Sequence, residues 1–144
     1  LQVDDPGDPC AIGAGRLVHG DLHDAQVMID AAGRITGLID LDDVGIGPVA
    51  DDLGNLLGHA VTMAHAADDV AAVRTWVAGV DELARSGGLD PGEVSRRGAA
   101  AALSLATGPF RVRQDRWRTA TVERIALAEA LAEGRDSVTQ ARVA

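Results

Sequence analysis

The segment LVHGDLHDAQVMI, from Leu17 to Ile29, places two histidines and two aspartates between two blocks of aliphatic residues. Three interpretations are open for its polar residues His19, Asp21 and His23. They could form a polar turn, a metal cage built from alternate side chains on one side of an extended segment, or the catalytic loop of a phosphoryl-transfer enzyme. The residues that follow in the sequence separate these interpretations.

The spacing of the polar residues fits a catalytic loop. Kinase catalytic loops follow the pattern H-R-D-x-x-x-x-N, in which the aspartate accepts the proton of the substrate hydroxyl and the asparagine holds a metal ion. In this chain Gln26 stands five residues after Asp21, and Asp40 follows Gln26 by fourteen residues at the end of a β-prone run. Because triphosphates carry concentrated negative charge, such enzymes need hard oxygen ligands for a divalent cation beside a carboxylate that faces the attacking hydroxyl.

Three motifs in the correct order resemble one known family, the aminoglycoside phosphotransferases and choline kinases. The motifs are HGDLHDAQ, GLIDLDD and GPVADDLGNLL, and the family patterns are H-G-D-x-H-x-x-N, I-D-[FW]-[DE] and G-x-x-x-x-D-L. The resemblance implies that Asp21 is the catalytic base and that Gln26 and Asp40 hold Mg²⁺ on ATP. The residues that it implies as supports of the catalytic loop are His19, His23, Asp42 and Asp52.

The resemblance also implies a fold and a function. The fold is of the α+β class: residues 1–144 form the C-terminal lobe of a protein-kinase-like enzyme, mostly helical with a short β-hairpin beside the catalytic loop. The function is ATP-dependent phosphorylation of a hydroxyl group on a small molecule such as an aminoglycoside, choline or a sugar. Family members also have an N-terminal nucleotide-binding lobe, whose lysine pairs with the ATP phosphates.

The lysine and the N-terminal lobe are both missing from this chain. It contains no lysine, and the residues before His19 leave no room for a lobe. We therefore expect the nucleotide-binding lobe to lie upstream, and we expect the isolated chain to be inactive.

The sequence departs from the family pattern at two positions, of which Gln26 keeps a second function open and Leu41 should affect packing more than chemistry. Gln26 replaces the usual asparagine; it retains the amide oxygen but adds one methylene group. Leu41 stands where an aromatic residue is more usual. The alternative to a kinase is a non-catalytic binding or assembly module derived from the kinase-like fold.

Other polar residues are expected to have structural roles. GDLHD is similar to the G-D-x-H-G element of dinuclear metallophosphatases, but no D-x-H cluster precedes it and no G-N-H-[DE] cluster follows it in the sequence. His59 and His65 lie among apolar residues of a predicted helix, which favours packing over metal binding. Asp43 belongs to an acidic run typical of a solvated turn, and Cys10 has no partner base nearby.

The elements that must position the candidate loop are a short β unit and a set of helices. Leu1–Gly15 is rich in Pro, Gly and Asp, which predicts an irregular lead-in. Two β-prone runs, Val27–Ile29 and Ile35–Ile39, are separated by DAAGR, which predicts a hairpin. Asp90 is expected to cap a helix that begins at a proline. Alanine and leucine at helical spacing predict helices over about Val49–Ala66, Asp68–Ser86, Pro91–Thr107 and Trp117–Glu133.

The composition excludes several classes of partner. A net charge of −9 provides no basic face for nucleic acid or for an anionic membrane. No apolar run approaches the roughly 20 residues of a membrane span, and no signal-like segment opens the chain. The single cysteine cannot form an internal disulfide. We therefore expect a cytoplasmic one-domain protein whose partner is a small hydroxyl compound, with the negative charge favouring a cationic one.

Overall fold

The structure is a computed structural model, and it describes residues 15–134. Most of the predicted lead-in, including Cys10, lies outside the described residues. The strands are β1 (Arg16–Val18), β2 (Val27–Ile29), β3 (Ile35–Leu38) and β4 (Gly45–Gly47). The helices are α1 (Val49–Ala66), α2 (Val70–Ser86), α3 (Pro91–Ser104), the short α4 (Gly108–Arg111) and α5 (Trp117–Ala132), with 3₁₀ turns at Asp24–Gln26 and Leu105–Thr107.

The predicted hairpin is confirmed as β2 and β3, which pair antiparallel with Val27 opposite Leu38. Asp30 organises its turn, because Oδ1 accepts the backbone N–H groups of Ala32 (2.9 Å) and Arg34 (3.0 Å). Its Oδ2 accepts a hydrogen bond from Nε of Arg34 at 2.8 Å. These hydrogen bonds lower the pKa of Asp30, and the backbone N–H of Arg34 contributes most.

A second strand pair, β1 with β4, has no counterpart in the sequence prediction. The two strands are antiparallel, with Leu17 opposite Ile46. Each is three residues long, and β4 reads Gly-Ile-Gly, so neither β-propensity nor alternation marks it. The pair places Val18 opposite Gly45. The candidate catalytic loop, which follows Val18, and the acidic turn, which precedes Gly45, therefore meet at this end of the strands.

The predicted helices are confirmed, with small differences at their ends. α2 begins at Val70 rather than at Asp68, because Asp69 is its N-cap and accepts the backbone N–H of Ala72 at 2.9 Å. Asp90 caps α3 as expected, accepting the backbone N–H of Gly92 at 3.0 Å. No helix within residues 15–134 combines the length and the apolar composition that crossing a membrane requires.

Helix α1 is the centre of the helical part, since it packs against both α2 and α3, and α3 packs in turn against α5. Two glycines let α1 and α3 meet at backbone distance. A Cβ atom added at Gly58 would lie 2.5 Å from the carbonyl oxygen of Gly98, and one at Gly54 would lie 2.4 Å from Cβ of Arg97. The largest buried aliphatic side chains of this core are Leu57, Val61, Val80, Val94 and Leu127.

Candidate active site

The candidate catalytic loop follows β1 and begins with a glycine that the geometry requires. Gly20 has φ +88°, a region that favours glycine. A Cβ atom at this position would lie 2.4 Å from the backbone carbonyl oxygen of Asp43. The central residue of the H-G-D motif therefore lets the loop touch the acidic turn that follows β3.

Asp52, in the first turn of α1, holds the loop from the other side. Its Oδ2 accepts the backbone N–H of His19 at 2.8 Å, and its Oδ1 accepts the backbone N–H of Gly20 at 2.9 Å. Hydrogen bonds to a carboxylate are stronger than neutral ones, and a carboxylate is favoured at a helix N-terminus. Asp52 thus lies where the family resemblance expects a brace.

His19 ties the loop to the end of β3. The side chain is 5% exposed, and its Nε2 lies 2.9 Å from the carbonyl oxygen of Ile39. Because a carbonyl only accepts, Nε2 carries the proton, and Nδ1 is a buried nitrogen that has no partner among residues 15–134. This hydrogen bond fixes Ile39, the residue that precedes Asp40, relative to the loop.

Asp21 is exposed, and one of its oxygens is held by a residue from α1. Nδ2 of Asn55 donates to Oδ1 of Asp21 at 2.9 Å and to the carbonyl oxygen of Leu22 at 3.2 Å. The second carboxylate oxygen makes no hydrogen bond within residues 15–134. Asp21 therefore presents a fixed carboxylate with one oxygen available to a ligand.

His23 is held against α1 by stacking of its ring. Its imidazole lies parallel to that of His59 on α1, with ring centroids 4.5 Å apart and planes inclined by 7°. Burial lowers the pKa of His59, and the charge of His23 acts in the same direction. The carboxylates of Asp21 and Asp24 act in the opposite direction.

Gln26 is buried and joins the loop to the hairpin. Its Oε1 accepts the backbone N–H of His23 at 2.9 Å, and its backbone carbonyl accepts the N–H of Ile39 at 3.1 Å. Nε2 is buried and has no partner among the described residues. The backbone bond places Gln26 opposite the residue that precedes Asp40.

The acidic turn after β3 presents its carboxylates to solvent. Asp40 adopts φ +63°, which is uncommon for a residue with a side chain and recurs at functional sites. The side chains of Asp40, Asp42 and Asp43 are exposed and make no hydrogen bond within the described part of the chain. The part of Asp42 in supporting the loop stays a prediction.

The donor set suits a hard cation. Mg²⁺ prefers carboxylate and amide oxygens, and Asp40 and Gln26 supply one of each. An amide oxygen has two lone pairs, so Oε1 of Gln26 can accept the His23 N–H and still bind a cation. The donor types of the two residues therefore fit the ion that the family resemblance implies.

The three-residue metal cage is not formed. Between residues 15 and 134, no group of three His, Cys, Asp or Glu side chains comes together as a metal site. The reason is visible in the loop, since His19 turns to the Ile39 carbonyl and His23 stacks on His59.

Sequence reasoning missed two residues of the site, Asn55 and His59. Both lie on α1 at three and seven residues after Asp52, and this spacing puts all three on one helix face. The apolar neighbours of His59 favoured a packing role for it, and the family pattern assigns no residue after Leu53. The i, i+3, i+7 spacing of polar residues was the signal that could have found them.

Comparison with known proteins places the chain in one family. Residues 11–85 match the family model APH, described as "Phosphotransferase enzyme family". The match covers slightly more than half of the chain, includes every predicted site residue and confirms the family resemblance read from the motifs. No curated protein and no solved structure gives a significant match.

Proposed function

Because the chain belongs to this phosphotransferase enzyme family, we propose that it is the catalytic lobe of a kinase that transfers a phosphoryl group from ATP to a hydroxyl group of a small molecule. The observation that carries the proposal is the position of Asp21. Its carboxylate is exposed on a loop that Asp52 and Asn55 hold from α1. We further propose that the α+β fold is the C-terminal lobe of a protein-kinase-like enzyme.

In the proposed reaction Asp21 orients the acceptor hydroxyl and takes up its proton. Oδ1 is held by Asn55, so the free oxygen Oδ2 faces the acceptor. A carboxylate that is already fixed leaves the reacting groups less orientational freedom to lose. Such positioning is a main source of rate acceleration in phosphoryl transfer. Asn55 acts as a positioning residue for this carboxylate.

Asp40 and Gln26 are the residues that would hold Mg²⁺. When bound, the ion neutralises charge on the triphosphate. The chain's own contribution is to fix the two ligand-bearing residues relative to each other, through the hydrogen bond between the backbones of Gln26 and Ile39. His19 reinforces this arrangement by donating to the carbonyl of the same Ile39.

An upstream nucleotide-binding lobe is part of the proposal. Two cross-strand pairs of aliphatic residues are exposed on the strands: Leu17 with Ile46, and Ile29 with Ile35. Large exposed apolar side chains in clusters are typical of interaction surfaces. We propose that the upstream lobe covers them and supplies the lysine that this chain lacks.

The acceptor is proposed to be a small hydroxyl compound, and a cationic one is favoured. The chain carries a net charge of −9, and the acidic turn with Asp40, Asp42 and Asp43 lies beside the loop. Such a surface attracts cations and repels anions other than a metal-bound phosphate.

One observation favours a second candidate function. Oε1 of Gln26 already accepts the His23 N–H, so the residue could serve only to shape the loop of a non-catalytic binding or assembly module. In that case no cation would bind at Asp40 and Gln26.

Paramagnetic broadening by Mn²⁺ separates the two candidates without an activity assay. Mn²⁺ with ATP, added to the ¹⁵N-labelled chain, should broaden amide signals around Asp21, Gln26 and Asp40 selectively. Asp40→Asn should abolish this selectivity, whereas the control Asp43→Asn should preserve it. Broadening that is the same in wild type and Asp40→Asn would reject the metal site and favour the binding module.

A further inference from the structure

A cavity of about 890 Å³ lies between the C-terminal end of α1 and the N-terminal part of α5. Sites for small molecules typically have volumes of about 300–1,000 Å³. His65, which lines the cavity from α1, is thirteen residues after Asp52 on the same helix. At 1.5 Å per residue the two are separated by about 20 Å along the helix. The cavity is therefore distinct from the candidate active site.

Three arginines line this cavity: Arg116, Arg118 and Arg124. Within residues 15–134, none of the three makes an ion pair with a carboxylate. The whole chain carries a net charge of −9, so three guanidinium groups that line one cavity without an ion pair among the described residues are unusual for its surface. Guanidinium groups bind carboxylate and phosphate through parallel N–H donors.

Arg124 is the best fixed of the three. Its Nη1 donates to the carbonyl oxygen of Leu105 at 2.7 Å, which leaves other N–H donors for a ligand. The absence of a side chain at Gly108 makes room for it, because a Cβ atom there would lie 2.8 Å from Nη1. Burial lowers the pKa of Arg124, and none of the carboxylates within residues 15–134 forms an ion pair with it. An anion bound beside it would supply the missing charge.

Arg118 is held by an aromatic ring. Its guanidinium carbon lies 4.5 Å from the ring centroid of Trp117, and Trp117 packs edge-to-face against Phe110 at 5.0 Å. Stacking on a ring orients a guanidinium and leaves the N–H groups at its edge available.

Two carboxylates, Asp68 and Glu123, also line the cavity. Asp68 is already engaged in an interaction, and the three arginines outnumber the two acids. The cavity is therefore better suited to a compact anion, which can contact the arginines directly, than to a long polyanion.

We propose that this cavity binds a small oxyanion, a phosphate or a carboxylate group, through Arg116, Arg118 and Arg124. The site is independent of the proposed phosphotransferase reaction, since it shares no residue with the candidate active site.

Fluorescence of Trp117 provides the test, because Arg118 stacks on this ring. The only other tryptophan, Trp76, is replaced in the variant Trp76→Phe, which serves as the background. This protein is titrated with inorganic phosphate, and separately with acetate, at constant ionic strength maintained with chloride. We expect a saturable change with at least one of the two anions, and the tighter one identifies the ligand class.

Arg124→Gln and Arg116→Gln, each in the same background, should raise the half-saturating concentration about tenfold or more, since each removes charge-assisted hydrogen bonds. Arg85→Gln on α2 is the control and should leave it unchanged. Arg116 is exposed and makes no hydrogen bond within residues 15–134, so its variant tests the site even if Arg124→Gln fails to fold. A change that does not saturate with either anion would overturn the proposal. So would a half-saturating concentration that is the same in both cavity variants as in the Trp76→Phe background.

Discussion

Gly20 connects the two halves of the candidate active site. Its positive φ and its contact with the Asp43 carbonyl allow the catalytic loop and the acidic turn to meet without a side chain between them. The loop is then fixed through its backbone by Asp52. Gly20 and Asp52, which have no proposed role in the chemical step, therefore position the side chains that do.

We expect Gly20→Ala to be more destabilising than Gly33→Ala. Both glycines have positive φ, which costs an alanine about 1–2 kcal/mol. A Cβ atom at Gly33 meets nothing within 4 Å, whereas one at Gly20 meets the Asp43 backbone. Gly20→Ala should therefore lose a further 1–3 kcal/mol, roughly, of unfolding free energy. Urea denaturation of both variants measures the difference, and equal losses would show that the Gly20 contact is unimportant.

The stacked histidines make stability depend on pH. Burial and the charge of His23 lower the pKa of His59, so the unfolded chain protonates this residue before the folded chain does. The contribution of His59 is complete above its ordinary pKa of about 6.5, and it is lost as the pH falls below that value. Unfolding free energies at pH 7.5, 6.5 and 5.5 should decrease more steeply in wild type than in His59→Gln. The same slope in both would contradict this role of His59.

The sequence predicted the residues of the loop better than their partners. Asp52 belongs to a motif, and its side chain lies where that motif places it. Asn55 and His59 were missed, because a single polar residue on an amphipathic helix is as compatible with packing or solvent as with a site. Only the position of α1 against the loop distinguishes these roles.

At the scale of elements, α1 determines the geometry of the site. Its first turns carry Asp52 and Asn55, and the same stretch packs at backbone distance on α3 through Gly54 and Gly58. Because α1 is one rigid helix that contacts both the catalytic loop and α3, a change in its packing against α3 would also displace the loop.

Two glycine replacements test this close packing. Gly58→Ala would place a Cβ atom 2.6 Å from Cβ of Ala101, and we expect a loss of about 1–3 kcal/mol from overpacking. Gly79→Ala on α2, where a Cβ atom meets nothing within 4 Å, should instead gain about 0.5–1 kcal/mol from helix propensity. Thermal unfolding of the two variants gives the sign of each change. A stabilising Gly58→Ala would mean that α1 and α3 are not in close contact.

The helices and the β2–β3 hairpin could be predicted from the sequence, because their signals are local. Helical spacing, the Asp90 cap and the turn residues of DAAGR each act within a few residues. The β1–β4 pair could not be predicted, since three-residue strands carry little pattern and their partners are separated by the whole loop and hairpin. Yet this pair closes the loop on which the site is built.

In the whole molecule, the region that matches the family and the later helices have different roles. Residues 11–85 match the family and include all the residues proposed for phosphoryl transfer. The later helices α3 and α5 lie beyond the match; α3 supports α1, and α5 lines the arginine cavity. We propose that the exposed aliphatic pairs of the strands receive the nucleotide-binding lobe, which completes the enzyme.

Phosphoryl transfer by an Asp21 variant tests whether Asp21 is the catalytic base. The protein, joined to the proposed upstream lobe, is incubated with labelled ATP, Mg²⁺ and a panel of aminoglycosides, choline-like alcohols and sugars. With the acceptor found for wild type, Asp21→Asn should lower kcat by about 10²–10⁴ while leaving ATP affinity unchanged, since a general base acts on the chemical step. Asp43→Asn, which removes a neighbouring carboxylate without a proposed role in the chemical step, should keep a kcat close to wild type. An Asp21→Asn enzyme that phosphorylates the acceptor at the wild-type rate would contradict the assignment of Asp21 as the catalytic base.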